Sequence, residues 1–198
     1  MIILAAGMSS RFGRNKLLEE LKGRTVIERV LDNCIKSKVD RTTIVLGFEH
    51  LKIKQVISQY ACTVVLNPRF QDGQSSSIKA GLRAIYEDSE AVLISPGDVP
   101  LITHEQIDAL IENFRRYGSK IAVTAHNGEM GHPILFGSSL FAELLDISEE
   151  GQGLKEVIKR HTDQIAKVEV EDEGVLLDID TEKELLTVKR VLDEQGSK

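Results

Sequence analysis

The apolar positions change their period along the chain, and each change marks an element. Ile2–Leu4 is a short apolar run that predicts a buried strand. Val26, Ile27, Val30, Leu31, Cys34 and Ile35 then recur at helical spacing and give one helix with one apolar stripe. The β-branched run Thr42–Leu46, stopped by Gly47, predicts a strand, and Leu51, Val56, Ile57 and Tyr60 predict the next helix. Cys62–Leu66 reads as a third strand, Ser77–Tyr86 as a third helix, and Ala91–Ser95 as a fourth strand closed by Pro96-Gly97. Thr103 with Gln106 forms a capping box that opens a helix through Ile107, Leu110, Ile111 and Phe114, followed by a strand at Ile121–Thr124. Such alternation predicts an α/β fold whose sheet is mostly parallel, with right-handed crossovers.

The rest of the chain is less regular. Pro133–Phe136 and Ile165–Val170 read as strands, and Ser139–Leu145 and Leu154–His161 as helices. A second capping box, Thr181 with Glu184, precedes a last helix through Leu185, Val188 and Leu192. No repeat or Pro/Gly-rich linker divides the sequence, so one domain over residues 1–198 is expected.

Composition narrows the function classes. With 31 acidic and 25 basic residues the net charge is −6, which argues against general nucleic-acid binding. No stretch reaches the ~18 apolar residues that span a bilayer, and the first apolar run is too short for a signal peptide. Cys34 and Cys62 offer neither a disulfide framework nor metal-ligand spacing and read as buried small hydrophobes in a reducing cytoplasm. His50, His104, His126 and His161 likewise form no ligand spacing and read as surface residues.

Against that acidic balance, the segment after the first strand is locally cationic. It holds Gly7, Ser9, Ser10 and Gly13 among Arg11, Arg14 and Lys16. A Gly/Ser-rich turn there lets backbone N–H groups approach anionic oxygens, while Arg11 offers a fork and Lys16 a mobile point charge. The glycines are spaced too widely for GxGxxG, and Arg14-Asn15 intervene where GxxxxGK[ST] needs its lysine. A solvated turn would carry similar residues. SPGDVPLIT places Asp98 at the carboxyl end of a buried strand, the sheet edge where ligands gather; a hard cation or a turn accounts for it. In LDIDT, Asp178 and Asp180 lie two apart and face one side of an extended segment. Ser75, Ser76 and Ser77 supply more donors than one helix cap needs, and His132 in GHPILF fits either a second substrate or a structural role.

Taken together, these segments resemble the molybdenum cofactor nucleotidyltransferases. LAAGMSSRFGRNKLL is similar to their loop LAAGxSxRxGxxKLL, and SPGDVPLIT to their metal-binding GDxPxxT. NPRFQDGQSSSIKAGL, GHPILF and LDIDT have counterparts in the same order. The cytidylyltransferase branch is the most similar: Ala6, Asn15 and Gly73-Gln74-Ser75-Ser76 differ from the guanylyltransferase pattern. The chain departs from that branch at EEGQGLKEV, where Lys155 sits near the position of an expected arginine.

The resemblance implies a three-layer α/β/α fold of the glycosyltransferase-A type. Residues 1–125 would form its nucleotide-binding half, and residues 126–198 its acceptor-binding part. It implies transfer of CMP from MgCTP to the phosphate of a molybdopterin-type acceptor, with pyrophosphate released and a molybdenum hydroxylase as a possible receiver of the product. Arg11, Lys16 and Asp98 would carry the chemistry, and Mg²⁺ would sit on Asp98 and Asp180. Leu4, Ala5, Ala6 and Gly7, with Ser75, Ser76 and Ser77, would hold the nucleotide, and His132 and Lys155 the acceptor. Three readings stand beside it: a GTP-using guanylyltransferase, a sugar- or polyol-phosphate nucleotidyltransferase, and a non-catalytic nucleotide or cofactor carrier.

Overall fold

The computed structural model describes residues 1–195. Its strands are β1 (Ile2–Ala5), β2 (Glu20–Leu21), β3 (Arg24–Thr25), β4 (Thr43–Leu46), β5 (Thr63–Leu66), β6 (Ala91–Pro96), β7 (Ile121–His126), β8 (Glu129–Gly137) and β9 (Ile165–Glu169). Its helices are α1 (Val26–Lys36), α2 (His50–Val56), α3 (Gln74–Arg83), α4 (His104–Tyr117), α5 (Phe141–Asp146), α6 (Leu154–Arg160) and α7 (Glu182–Gln195).

Seven strands form one sheet in the order β5-β4-β1-β6-β8-β7-β9, and β2 pairs with β3 in a separate hairpin. All neighbours in the large sheet are parallel except β8, which runs antiparallel to both β6 and β7. The alternation of side chains splits the core in two. Ile3, Ala5, Leu93, Ala122 and Leu135 face the apolar stripes of α1, α4 and α7, whereas Ile2, Ile94, Val123, Ile134 and Phe136 face α3, α5 and α6. The result is helix, sheet, helix, as the strand–helix alternation implies.

Local chemistry sets the starts of α1, α4 and α7. Thr103 accepts from the Gln106 N–H and Gln106 caps the Thr103 N–H in return. Thr25 with Glu28 forms another such box at α1, and the Thr181 and Glu184 pair is present at α7. Gly81 lets α3 lie against the sheet, since a Cβ there would overlap Ile2 and Val45 side chains.

Several expectations need correction. The strand expected at Pro133–Phe136 is nine residues long, because Asn127 and Gly128, both with positive φ, turn the chain directly back from β7. Helix α3 begins at Gln74 rather than Ser77, so all three serines lie within its first turns. Cys34 is buried, but Cys62 is only partly so, because β5 is an edge strand with Val64 and Leu66 exposed. His161 is not a surface residue: its imidazole is 14% exposed and meets the Glu143 carboxylate at 3.0 Å. No helix among the described residues is long and apolar enough to cross a membrane.

Candidate active site

The cationic loop leaves the carboxyl end of β1 and turns through Ser9, whose φ is +53°, and Gly13 at +80°. Its one aromatic residue, Phe12, is 5% exposed and pins the loop to the core, while the Ser9 carbonyl accepts from the Phe12 and Gly13 N–H groups. Asn15 is buried and its side chain accepts from the Leu17 N–H, shaping the turn that presents Lys16. Asn15 therefore acts on the loop and does not line the cleft beside it.

That cleft, about 280 Å³, is lined by Leu4, Ala5, Ala6, Gly7, Ser9, Ser10, Arg11 and Lys16 on one side. Phe70, Gly73, Gln74 and Ser77 close the other side, and Pro96, Asp98 and Asp180 form its end. Only Ser77 of the three serines reaches it; Ser75 and Ser76 line a separate groove with Arg69, Lys79 and Arg83. Successive residues of a helix point about 100° apart, so a helix that starts at Gln74 cannot aim all three into one cleft. Asn67 ties Ser76 and Ser77 together through its Nδ2, at 2.8 and 3.0 Å. The N-terminus of α3 is capped from afar: the Ser75 N–H donates to Glu149 at 2.6 Å. Gly73, at φ +93°, makes room, since a Cβ there would overlap the Glu149 side chain. No sequence signal marks Phe70 as a lining residue, whereas Gln74 lies in the Gly73-Gln74-Ser75-Ser76 stretch that the family resemblance sets apart.

A second, larger cavity of about 900 Å³ opens beyond Asp98. Its walls are aliphatic, from Ile121, Val123, Ile134, Leu154, Ile158 and Ile165, and Lys155, Lys159, His132 and Asp178 add polar groups. Arg11, Lys16, Gln74, Pro96, Asp98 and Asp180 line both spaces, so the two meet there.

At that junction the charges are paired. The Lys16 ammonium contacts Asp98 Oδ2 and lies 2.8 Å from Asp180 Oδ1, and Arg11 donates to Asp180 Oδ2 at 2.6 Å. The backbone holds the two carboxylates in place, because the Ile179 N–H donates to the Asp98 carbonyl at 3.0 Å and Ile179 itself is fully buried. Burial alone would lower the Lys16 pKa, but Asp98 and Asp180 outweigh it and hold the ammonium above the usual lysine value. For Asp180, burial pushes the carboxyl up, and Lys16 and Arg11 more than reverse that. For Asp178 the balance is reversed: burial first, then the negative charges of Asp98 and Asp180, outweigh Lys16 and raise its pKa. Burial keeps His132 below the ordinary imidazole value, with its Nδ1 buried and unpartnered.

Among the described residues no group of three or more His, Cys, Asp or Glu is arranged to hold a metal ion alone. Two carboxylates suit an ion that completes its shell with substrate oxygens, as Mg²⁺ does on phosphates. Asp98 Oδ1 is buried without any partner, an acceptor left open at that spot. The donor set therefore fits a hard divalent cation.

Comparison with known proteins agrees with this architecture. The chain is 28% identical over 192 residues to the molybdenum cofactor cytidylyltransferase of Escherichia coli, covering 95% of this chain and 94% of the relative. It is also 28% identical over 211 residues to the purine catabolism protein PucB of Bacillus subtilis, covering 96% of each. A solved nucleotidyl transferase from Methanothermobacter superposes with a TM-score of 0.84 at 22% identity, over 98% of this chain and 97% of that one, and so shares the fold. The family profile described as the MobA-like NTP transferase domain matches residues 1–165, and the chain belongs to that family.

Proposed function

We propose that this nucleotidyltransferase moves a CMP unit from MgCTP to the terminal phosphate of a molybdopterin-type acceptor, releasing pyrophosphate. One observation carries the reading: the cleft beside the cationic loop and a larger cavity with aliphatic walls meet at Arg11, Lys16, Asp98 and Asp180. Group transfer between two anions needs such a junction, with cations and metal-binding carboxylates where the substrates touch.

In the reaction an acceptor phosphate oxygen attacks the α-phosphorus, and the bond from that phosphorus to the α–β bridging oxygen breaks. The nucleophile is already anionic near neutral pH, so no general base is required. Lys16 and Arg11 neutralise the charge that develops on the triphosphate, with Lys16 nearest the α-phosphate. Backbone N–H groups of the Ala5–Gly7 turn and Ser77 hold the nucleotide in the cleft. Asp98 and Asp180 hold the divalent metal, which supplies Lewis-acid charge neutralisation when bound.

The choice of cytosine is supported by Ala6 and by the likeness to the cytidylyltransferase. The cavity pairs aliphatic walls with His132, Lys155, Lys159 and Asp178, which suits a flat heterocyclic acceptor that has apolar faces and polar edges. His132 and Lys155 face that acceptor.

The test is pyrophosphate release with CTP, GTP, ATP and UTP, each alone, with molybdopterin and with a sugar phosphate. Release with CTP that depends on molybdopterin is the expected result. Release with GTP instead would reassign the base, release only with a sugar phosphate would reassign the acceptor, and no release with any pair would leave a binding protein.

A further inference from the structure

Lys16 stands between the two carboxylates that fit a divalent ion. Its side chain is 14% exposed, against 13% for Asp98 and 24% for Asp180, so these charges meet in a half-desolvated place. Arg11 occupies the second oxygen of Asp180 from the solvent side, with its own side chain 73% exposed. Three of the four carboxylate oxygens thus carry a side-chain cation, and Asp98 Oδ1 carries none.

This pairing has a physical cause. Two carboxylates held together by the Ile179–Asp98 backbone bond repel each other when water is scarce, and a nearby ammonium removes that penalty. Yet Lys16 and Arg11 also line the nucleotide cleft, where a polyphosphate offers them far more negative charge than two carboxylates do. Lysine is a compact charge on a flexible stem and can change partners without moving the loop.

We propose that Lys16, seconded by Arg11, is a resident cation for the Asp98–Asp180 pair. A divalent metal reaches both carboxylates only when a polyphosphate draws those side chains into the cleft. This inference rests on the nucleotidyltransferase reading above. In the free protein the metal must displace an ammonium, so metal binding is weak there, and by reciprocity metal and polyphosphate strengthen each other. The carboxylate pair is kept assembled between turnovers without holding a metal.

Binding of Mn²⁺ to the free protein, without nucleotide and followed by electron paramagnetic resonance, tests this directly. Lys16→Met is expected to bind Mn²⁺ about tenfold more tightly than the wild type, a coupling of ordinary size. Lys159→Met removes a charge from the same cavity but touches neither carboxylate, and should match the wild type. Adding Asp98→Asn to Lys16→Met should abolish the gain. Without metal Lys16→Met should melt below the wild type, and Mn²⁺ should restore it while shifting the wild type little. Should Lys16→Met fail to fold, Lys16→Arg serves instead, with Mn²⁺ binding as weak as in the wild type.

Equal Mn²⁺ affinity in the wild type and Lys16→Met overturns the proposal, as does an equal gain in Lys159→Met, or a Lys16→Arg that binds tightly. No Mn²⁺ binding by either of the first two overturns it as well. The titration needs no turnover, so failure of the pyrophosphate assay would sink the functional reading separately.

Discussion

The cleft beside the loop after β1 and the cavity beneath α6 share Arg11, Lys16, Asp98 and Asp180, yet they are lined by different chemistry. On the cleft side, charges are matched by side chains and loops are tied by backbone bonds: Gly97 N–H to the Leu4 carbonyl, Ile179 N–H to the Asp98 carbonyl. On the cavity side the walls are aliphatic, and Lys155 and Lys159, one helical turn apart, line it without a carboxylate within ion-pair reach among the described residues. Arg160, their neighbour, pairs with Glu143 instead. The cleft side is thus prearranged by charge pairing, whereas the cavity side sets Lys155 and Lys159 beside aliphatic walls.

The sharpest way to break this comparison is to remove the junction. Asp98→Ala should lower turnover by about 10²-fold or more, the scale for loss of one preorganised electrostatic group, with the fold intact by circular dichroism. A folded variant that keeps normal metal-dependent pyrophosphate release would end the assignment of Asp98. Next in size is the cavity alone. Lys155→Ala combined with Lys159→Ala should raise the acceptor KM roughly three- to tenfold, the scale of exposed ion pairs, and leave the CTP KM unchanged. A rise in the CTP KM would show that the two spaces are not divided by substrate.

The cleft side was legible in the sequence for a reason that the cavity side lacks. Its groups follow one another closely: Gly7 to Lys16 in one loop, Asp98 two residues after β6, Asp178 and Asp180 around a buried Ile179. Strand ends in a parallel sheet bring those loops to one edge, so local pattern and topology suffice. The aliphatic walls come from β7, β8, β9 and α6, where each isoleucine looks like ordinary core. Phe12 resembles a stray aromatic in a polar loop until its burial is seen. The early start of α3 depends on Glu149, 74 residues further along the chain, which no local signal announces. The Asn127-Gly128 pair is itself a local hairpin signal, and it accounts for the full length of β8.

Glu149 supplies a smaller test of how firmly the cleft side is prearranged. Glu149→Ala leaves the Ser75 N–H at the start of α3 without its acceptor and should cost about 1 kcal/mol, the usual worth of a helix cap. Glu149→Gln keeps an acceptor oxygen and should cost less. Urea unfolding of the two variants reads the difference, and equal midpoints for wild type and Glu149→Ala would mean that the cap does not support the helix.

The smallest expected effect belongs to His132, which lines the larger cavity. Burial depresses its pKa below the ordinary 6.5, and Asp98 offsets this only in part. Once unfolded, the imidazole takes up a proton as pH falls through 6.5, whereas the folded protein resists until its lower pKa is reached. Stability from this residue is therefore complete above 6.5 and is lost progressively as pH falls towards the folded value. Asp178 works the other way, because its raised pKa lets the folded state take up a proton before the unfolded state does. Its protonation stabilises the fold as pH falls through that raised value towards 3.8. His132→Asn keeps the backbone carbonyl that accepts from Thr124 at 2.6 Å, and it removes only the titration. Between about pH 7.5 and about pH 5.5 the wild type should lose more thermal stability than His132→Asn. Equal losses would show that the imidazole is hydrated in solution rather than buried in the cavity wall.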